Sequence, residues 1–167
     1  MKLSRTANIS LLIILNIAAD QITKVIVRQT IVPNDVISII GDAFILTNVE
    51  NSGAFLGMGS DLGPVAKFFG LLLLPTLVLA YLVYYILKNK ALDKASLFAF
   101  CCIAGGGIAN VFDRYMYGSV TDFLYIDLGG IFRTGIFNVA DISVTAGMLI
   151  LFYGMFFNKK PKPETTA

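Results

Sequence analysis

Histidine is missing from this 167-residue chain. Its absence removes the commonest general base, the Ser/His and Cys/His nucleophile pairings and most zinc sites, so any acid–base chemistry falls to carboxylates, lysine or tyrosine. Cysteine is nearly missing as well. Cys101 and Cys102 are adjacent inside an apolar run, where neighbouring helical side chains point in different directions and rarely bridge, and they carry no information on redox compartment. Charge is the third scarcity: 14% of residues are charged and 56% are hydrophobic, with a mean hydropathy of +0.76. That excludes an ordinary soluble domain and predicts a membrane protein. A net charge of +2 provides no global field to attract nucleic acid, which is not expected as a partner.

What is present is a set of long apolar runs. Four are long enough to cross a bilayer, which takes about 20 residues of helix: residues 6–27, 66–87, 95–117 and 137–157. A cleavable leader would also begin with positive charge and a short apolar core, but apolar residues resume beyond Ala18-Ala19, as an anchoring helix requires. Pro75 is placed to kink the second helix, and Gly105 to Gly107 allow close approach in the third. The β-branched stretch from Val36 to Val49, broken at Gly41-Asp42, reads as two short strands within an outer β region of residues 36–56. The glycine-rich segment after it reads as a loop on the membrane surface. Residues 1–158 form one membrane-embedded unit in this reading, and 159–167 a disordered tail.

The basic residues are placed asymmetrically. Lys2 and Arg5, then Lys88, Lys90 and Lys94, then Lys159, Lys160 and Lys162 share one side of a four-helix arrangement, while residues 29–63 contain neither Lys nor Arg. The positive-inside rule puts both termini in the cytoplasm and the two longer loops outside.

With that topology, polar residues gather at one depth: Asp20 and Lys24 on the first helix, Asn110, Asp113 and Arg114 on the third, Asn138 and Asp141 at the start of the fourth. Gly118 then turns the chain back so that Asp122 reaches the same layer. Each charge at mid-bilayer costs about 2.5–3.5 kcal/mol on insertion scales, so such a set signals mutual pairing, a wet cavity or a function. The structural account has Lys24 snorkelling and Asp113 paired with Arg114. The chemical account rests on two carboxylates that cannot both ionise cheaply, so one keeps a proton while the other stays basic. Asp122, on an adjustable loop, and Asp141, on a helix end, are the best candidates. Asn110, Asn138 and Arg114 would orient them or hold substrate carbonyls. Alternation along DFLYIDL puts Asp127 on the opposite strand face. Two other readings stay open: a Ser/Lys hydrolase pairing Lys24 with Ser52 or Ser119, and a small proton-coupled carrier using Asp20 and Asp141 as relay groups, although no internal repeat supports it.

The ordered blocks Asp20-Gln21-Ile22-Thr23-Lys24, Asn51-Ser52-Gly53-Ala54-Phe55, Gly105 through Arg114, Val120-Thr121-Asp122-Phe123 and Phe137-Asn138-Val139-Ala140-Asp141 resemble those of bacterial lipoprotein signal peptidase, an intramembrane aspartic peptidase family. The resemblance implies four transmembrane helices with a small outer-face sheet, and a catalytic dyad of Asp122 and Asp141. It implies supporting or substrate-contacting roles for Asp20, Lys24, Asn51, Gly53, Asn110, Arg114 and Asn138. It implies no metal and no cofactor, lipid-modified prolipoproteins and membrane lipid as partners, a monomer in the bacterial inner membrane, and cleavage just before the lipidated cysteine. Ala109 and Leu56 depart from the expected pattern and bear on local packing.

Overall fold

A computed structural model describes residues 3–54 and 57–157. Helix α1 spans Arg5–Thr30 and starts where the Ser4 hydroxyl accepts from the Ala7 N–H at 3.1 Å, which satisfies one of the free amides of a first turn. Strands β1 (Val36–Ile40) and β2 (Phe44–Asn51) follow. Helix α2 runs Pro64–Lys88, α3 runs Lys94–Tyr117, β3 Val120–Leu128 and β4 Phe132–Arg133, and α4 Val139–Phe157. All four helices are long and apolar enough to cross a membrane. The tail read as disordered, 159–167, lies outside the described residues, as do Phe55 and Leu56.

Pro75 does not break α2. The stretch Phe68–Leu73 opens into a π-helical turn in which the Leu74 N–H reaches the Phe69 carbonyl. That wider turn takes up the backbone geometry ahead of a residue with no N–H to donate.

Helix α3 is the centre of the bundle: 44% of its apolar stretch is buried against 6% for that of α2. Its three consecutive glycines explain how one helix can touch the other three. A Cβ on Gly105 would lie 2.6 Å from Asn16 of α1, one on Gly106 would run into the Ala140 carbonyl of α4, and one on Gly107 would lie 2.5 Å from Leu79 of α2. The helix begins at Asp93, whose carboxylate accepts from the Ala95 and Ser96 amides. It ends at Gly118, whose φ of 77° is left-handed and whose N–H returns to the Arg114 carbonyl.

The chain then turns straight into β3. The sheet is antiparallel in the order β1-β2-β3-β4, larger than the two-strand hairpin expected from residues 36–49. Asp122 therefore lies on a strand paired with Val49, and not on an adjustable loop; β2 supplies the edge that orders it. The β2–β3 register shifts between Leu46 and Val49, just beside Asp122, as bulges often do next to functional sites. Helix α4 starts at Val139, two residues later than the sequence predicts, because Asn138 is its cap.

Candidate active site

At the start of α4, Asn138 and Asp141 cap one another. The Asp141 N–H donates to Asn138 Oδ1 at 2.9 Å, and the Asn138 N–H donates to Asp141 Oδ2 at 3.1 Å, the reciprocal bonding of a capping box. The next free amide of that turn, at Ala140, donates 2.8 Å to Asp20 Oδ1 on α1. Asp20 thus caps a helix other than its own.

Because Asn138 Oδ1 is committed to the cap, its NH₂ group must face the other way. It donates to Asp122 Oδ1 at 2.6 Å and to Asn110 Oδ1 at 3.2 Å. Asn110 is oriented by the same logic. The Lys24 ammonium can only donate and takes Asn110 Oδ1 at 2.8 Å, so the Asn110 NH₂ is left to donate to Asp141 Oδ1 at 2.9 Å. Asn51 completes the set: its Oδ1 accepts from the Gly53 N–H and its NH₂ donates to Asp122 Oδ2 at 2.9 Å and to the Ala54 carbonyl. Three amides, each locked by a second bond, present their NH₂ groups to the two carboxylates. Each carboxylate oxygen accepts one bond and keeps a lone pair free for substrate or water.

Asp122 is 4% exposed, and burial pushes its carboxyl up to about 6; the Asn51 hydrogen bond opposes this and the nearby Asp141 charge adds to it. Asp141 is half-buried. Both line a polar cavity of about 30 Å³ with Asn51, Asn110 and Arg114, room for about two waters. Arg114 lines one wall of this cavity. It donates to the Gly53 carbonyl at 2.7 Å and to the Asn110 carbonyl at 3.2 Å, and its buried Nε has no partner among the described residues. Larger spaces meet at the carboxylates. Apolar furrows of about 530 and 510 Å³ run from Asp141 down the outer flank of α4, sharing Thr145 and Leu149. A more polar cleft of about 340 Å³ opens at Asp122, lined by Asn51, Ser52, Ser60 and Ile136.

All nine residues singled out from the sequence fall in this region: Asp122, Asp141, Asn138, Asn110, Asn51, Gly53 and Arg114 around the cavity, Asp20 and Lys24 behind it. Lys24 does not snorkel. It is fully buried, 2.7 Å from Asp20 and 2.7 Å from Asp113, because Asn110 and two carboxylates satisfy its three donors. Asp113 pairs with Lys24 and with Arg28 at 3.3 Å, not with Arg114, since consecutive side chains diverge on a helix. Asp127 instead pairs with Arg133 at 2.9 Å. The Ser/Lys pairing is not formed, as Lys24 is taken by Asp20, Asp113 and Asn110, Ser119 bonds to Glu50 and Ser52 is met by Lys67. Sequence reasoning assigns no role to Arg28, Gln21, Thr121 or Glu50, yet all four join the polar layer. Gln21 donates to Asp113 at 3.0 Å and to the carbonyl of Ala109, and Ala109 is itself fully buried. Asp20, Lys24 and Arg28 recur every four residues on one helical face, a signal that could have extended the pattern to Arg28.

Comparison with known proteins agrees with the block pattern. A family model described as Signal peptidase (SPase) II matches residues 12–157. The chain belongs to the signal peptidase II family. A lipoprotein signal peptidase of Chlorobium luteolum is 41% identical over 173 residues, covering 94% of this chain and 95% of the relative. One from Desulforapulum autotrophicum is 33% identical over 145 residues, covering 87% and 89%. A solved bacterial membrane enzyme is similar in fold with a TM-score of 0.80 at 26% identity, covering 96% of this chain and 94% of that one. The signal peptidase II match starts inside α1 and ends with α4, so it includes every element that contributes to the cavity.

Proposed function

We propose that this chain is an intramembrane aspartic endopeptidase that removes signal peptides from diacylglyceryl-modified prolipoproteins, cutting before the lipidated cysteine. The observation that carries the reading is the bridging of Asp122 and Asp141 by one residue, Asn138, at a cavity with room for water. Burial favours the proton on Asp122 and leaves Asp141 as the base. Asp141 takes a proton from a water as its oxygen bonds to the scissile carbonyl carbon. Asp122 gives its proton to the leaving amine as the C–N bond breaks. The Arg114 Nε, which has no partner among the described residues, would hold a substrate carbonyl as charge develops on its oxygen, while Asn51 and Asn110 hold the two carboxylates.

The surrounding spaces suit a substrate of two characters. Apolar furrows along α4 fit a signal helix and acyl chains, and the polar cleft at Asp122 fits the mature polypeptide. The enzyme acts as a monomer in the bacterial inner membrane, with both termini cytoplasmic and the dyad near the outer face. Gly53 keeps its backbone in this role, since its carbonyl holds Arg114 and a Cβ there would lie 2.5 Å from the Gly57 carbonyl oxygen. The test is cleavage of a purified lipidated prolipoprotein in detergent. Wild type should cleave it, and Asp122→Asn and Asp141→Asn should each lose at least about a thousandfold in rate, the scale on which a catalytic group is removed. Equal cleavage by all three proteins would overturn the assignment.

A further inference from the structure

Behind the strand that carries Asp122 lies a second polar cluster that the peptidase reading does not use. Along β3, Thr121 and Asp122 point to opposite faces. Asp122 faces α4 and Asn138, whereas Thr121 faces the end of α1. There the fully buried Thr121 hydroxyl accepts from Arg28 Nε at 2.7 Å and donates to Glu50 Oε1 at 2.7 Å. The Ser119 hydroxyl donates to the other Glu50 oxygen. One hydroxyl, using its donor and one acceptor, thus joins an arginine on α1 to a glutamate on β2, which is the strand partner of Thr121.

Arg28 is itself held on two further sides. Its guanidinium lies 4.1 Å from the centroid of the Tyr117 ring at the end of α3, and its Nη2 is 3.3 Å from Asp113. A planar guanidinium can stack, pair and donate through Nε at the same time, which a lysine ammonium cannot. The result ties the ends of α1 and α3 to the residue next to Asp122. Opposite faces of two adjacent residues are therefore pinned, Thr121 by Arg28 and Asp122 by Asn138 and Asn51.

We infer that Arg28 and Thr121 are positioning residues that fix the strand bearing Asp122 so that its carboxyl meets Asp141 in working geometry. This rests on the peptidase reading above. Neither side chain lines the cavity; Thr121 acts through the backbone of β3, and Arg28 acts through its bond to the Thr121 hydroxyl. Displacement of a reacting group by about 1 Å can cost up to a hundredfold in rate.

The decisive variant is Thr121→Val, which keeps shape and β-branching and removes only the hydroxyl. It should lower kcat on the lipidated prolipoprotein about tenfold with KM changed by less than about twofold, whereas Thr121→Ser should restore the wild-type kcat. Arg28→Lys, which keeps the charge beside Asp113, should reproduce the loss, and the double variant Arg28→Lys/Thr121→Val should be no worse than either single one, because one linkage is broken. A readout independent of turnover is the infrared carboxyl stretch of Asp122, identified by its loss in Asp122→Asn: it should shift in Thr121→Val and return in Thr121→Ser. Wild-type kcat and an unmoved band in both Thr121→Val and Arg28→Lys would overturn the inference while leaving the peptidase reading intact. So would additive losses in the double variant. Failure of the wild type to cleave would overturn both.

Discussion

At the scale of single residues, the site is organised by which atoms have no choice. The Lys24 ammonium cannot accept, the Gly53 amide cannot accept, and the cap of α4 needs an acceptor, so Asn110, Asn51 and Asn138 each turn an NH₂ group towards Asp122 or Asp141. This makes the protonation of Asp122 tunable in a predictable sense. Its carboxyl sits at about 6, chiefly through burial, with the Asn51 bond lowering it and the Asp141 charge raising it. Asp141→Asn removes a neighbouring negative charge and should lower the midpoint; Asn51→Ala removes a donor that favours the charged form and should raise it. Infrared titration of the Asp122 carboxyl in the detergent-solubilised protein would follow both. Movement of the two midpoints in the same direction would contradict this account. Asn110, Asn138 and Asp141 were legible in the sequence because polar side chains stand out beside apolar helical runs, and Asp122 because it follows the third helix so closely; Asn51, on a strand, came only from the family resemblance. Glu50 was not, because it sits at a strand end where polar residues are ordinary, and Arg28 was traceable only through its four-residue spacing from Lys24. Their significance depends on the pairing of β2 with β3.

At the scale of elements, the dyad depends on how closely α3 and α4 approach. Gly106 meets the carbonyl of Ala140, the residue before Asp141, and Gly147 meets the carbonyl of Ala99. Two small residues on facing helices let the backbones touch at both ends of the contact. Gly106→Ala drives a methyl group into the Ala140 carbonyl oxygen, so the first turn of α4 must move. Overpacking of this kind costs about 3 kcal/mol at the upper end of its usual range, and here the displaced turn carries Asp141 and the amide capped by Asp20. The expected outcome is a lowered unfolding midpoint in detergent together with lost cleavage. Gly70→Ala, with no atom within 4 Å of the new methyl group and an ordinary φ, should be neutral in both assays. Wild-type behaviour of Gly106→Ala would show that the helices can separate without harm. The sequence showed that Gly105 to Gly107 permit close approach; it did not show that the three glycines serve three different helices, since helix order around α3 is a property of the bundle. Likewise the sequence pointed to Pro75 but not to the π turn at Phe68–Leu73 that precedes it, where Gly70 has open space around it.

At the scale of the whole molecule, the lysines of the loop between α2 and α3 and the site occupy opposite ends. The Arg5 guanidinium donates to the carbonyls of Ile86 at 2.9 Å, Leu87 at 3.3 Å and Asn89 at 2.8 Å, capping the last turn of α2 and placing the amino end of α1 beside Lys88 and Lys90. The sheet and the two carboxylates lie at the other end of the same helices. The positive-inside rule, which counts Lys and Arg in short loops, predicts from this that the Arg5 end is cytoplasmic and that the sheet lies at the outer face. Charge placement needs no knowledge of packing, so this orientation can be proposed from the sequence alone. The prediction is tested by labelling. Ile131, at the turn between β3 and β4, is 97% exposed, while Cys101 and Cys102 are buried in α3. An Ile131→Cys variant should react with a membrane-impermeant maleimide added to intact spheroplasts, and wild type should not. A green fluorescent protein fused after residue 167 should fluoresce, whereas alkaline phosphatase fused there should be inactive. Labelling of the Ile131→Cys variant only after the membrane is broken would invert the topology and put the dyad on the cytoplasmic side, where a peptidase acting on exported, lipid-modified substrates could not meet them.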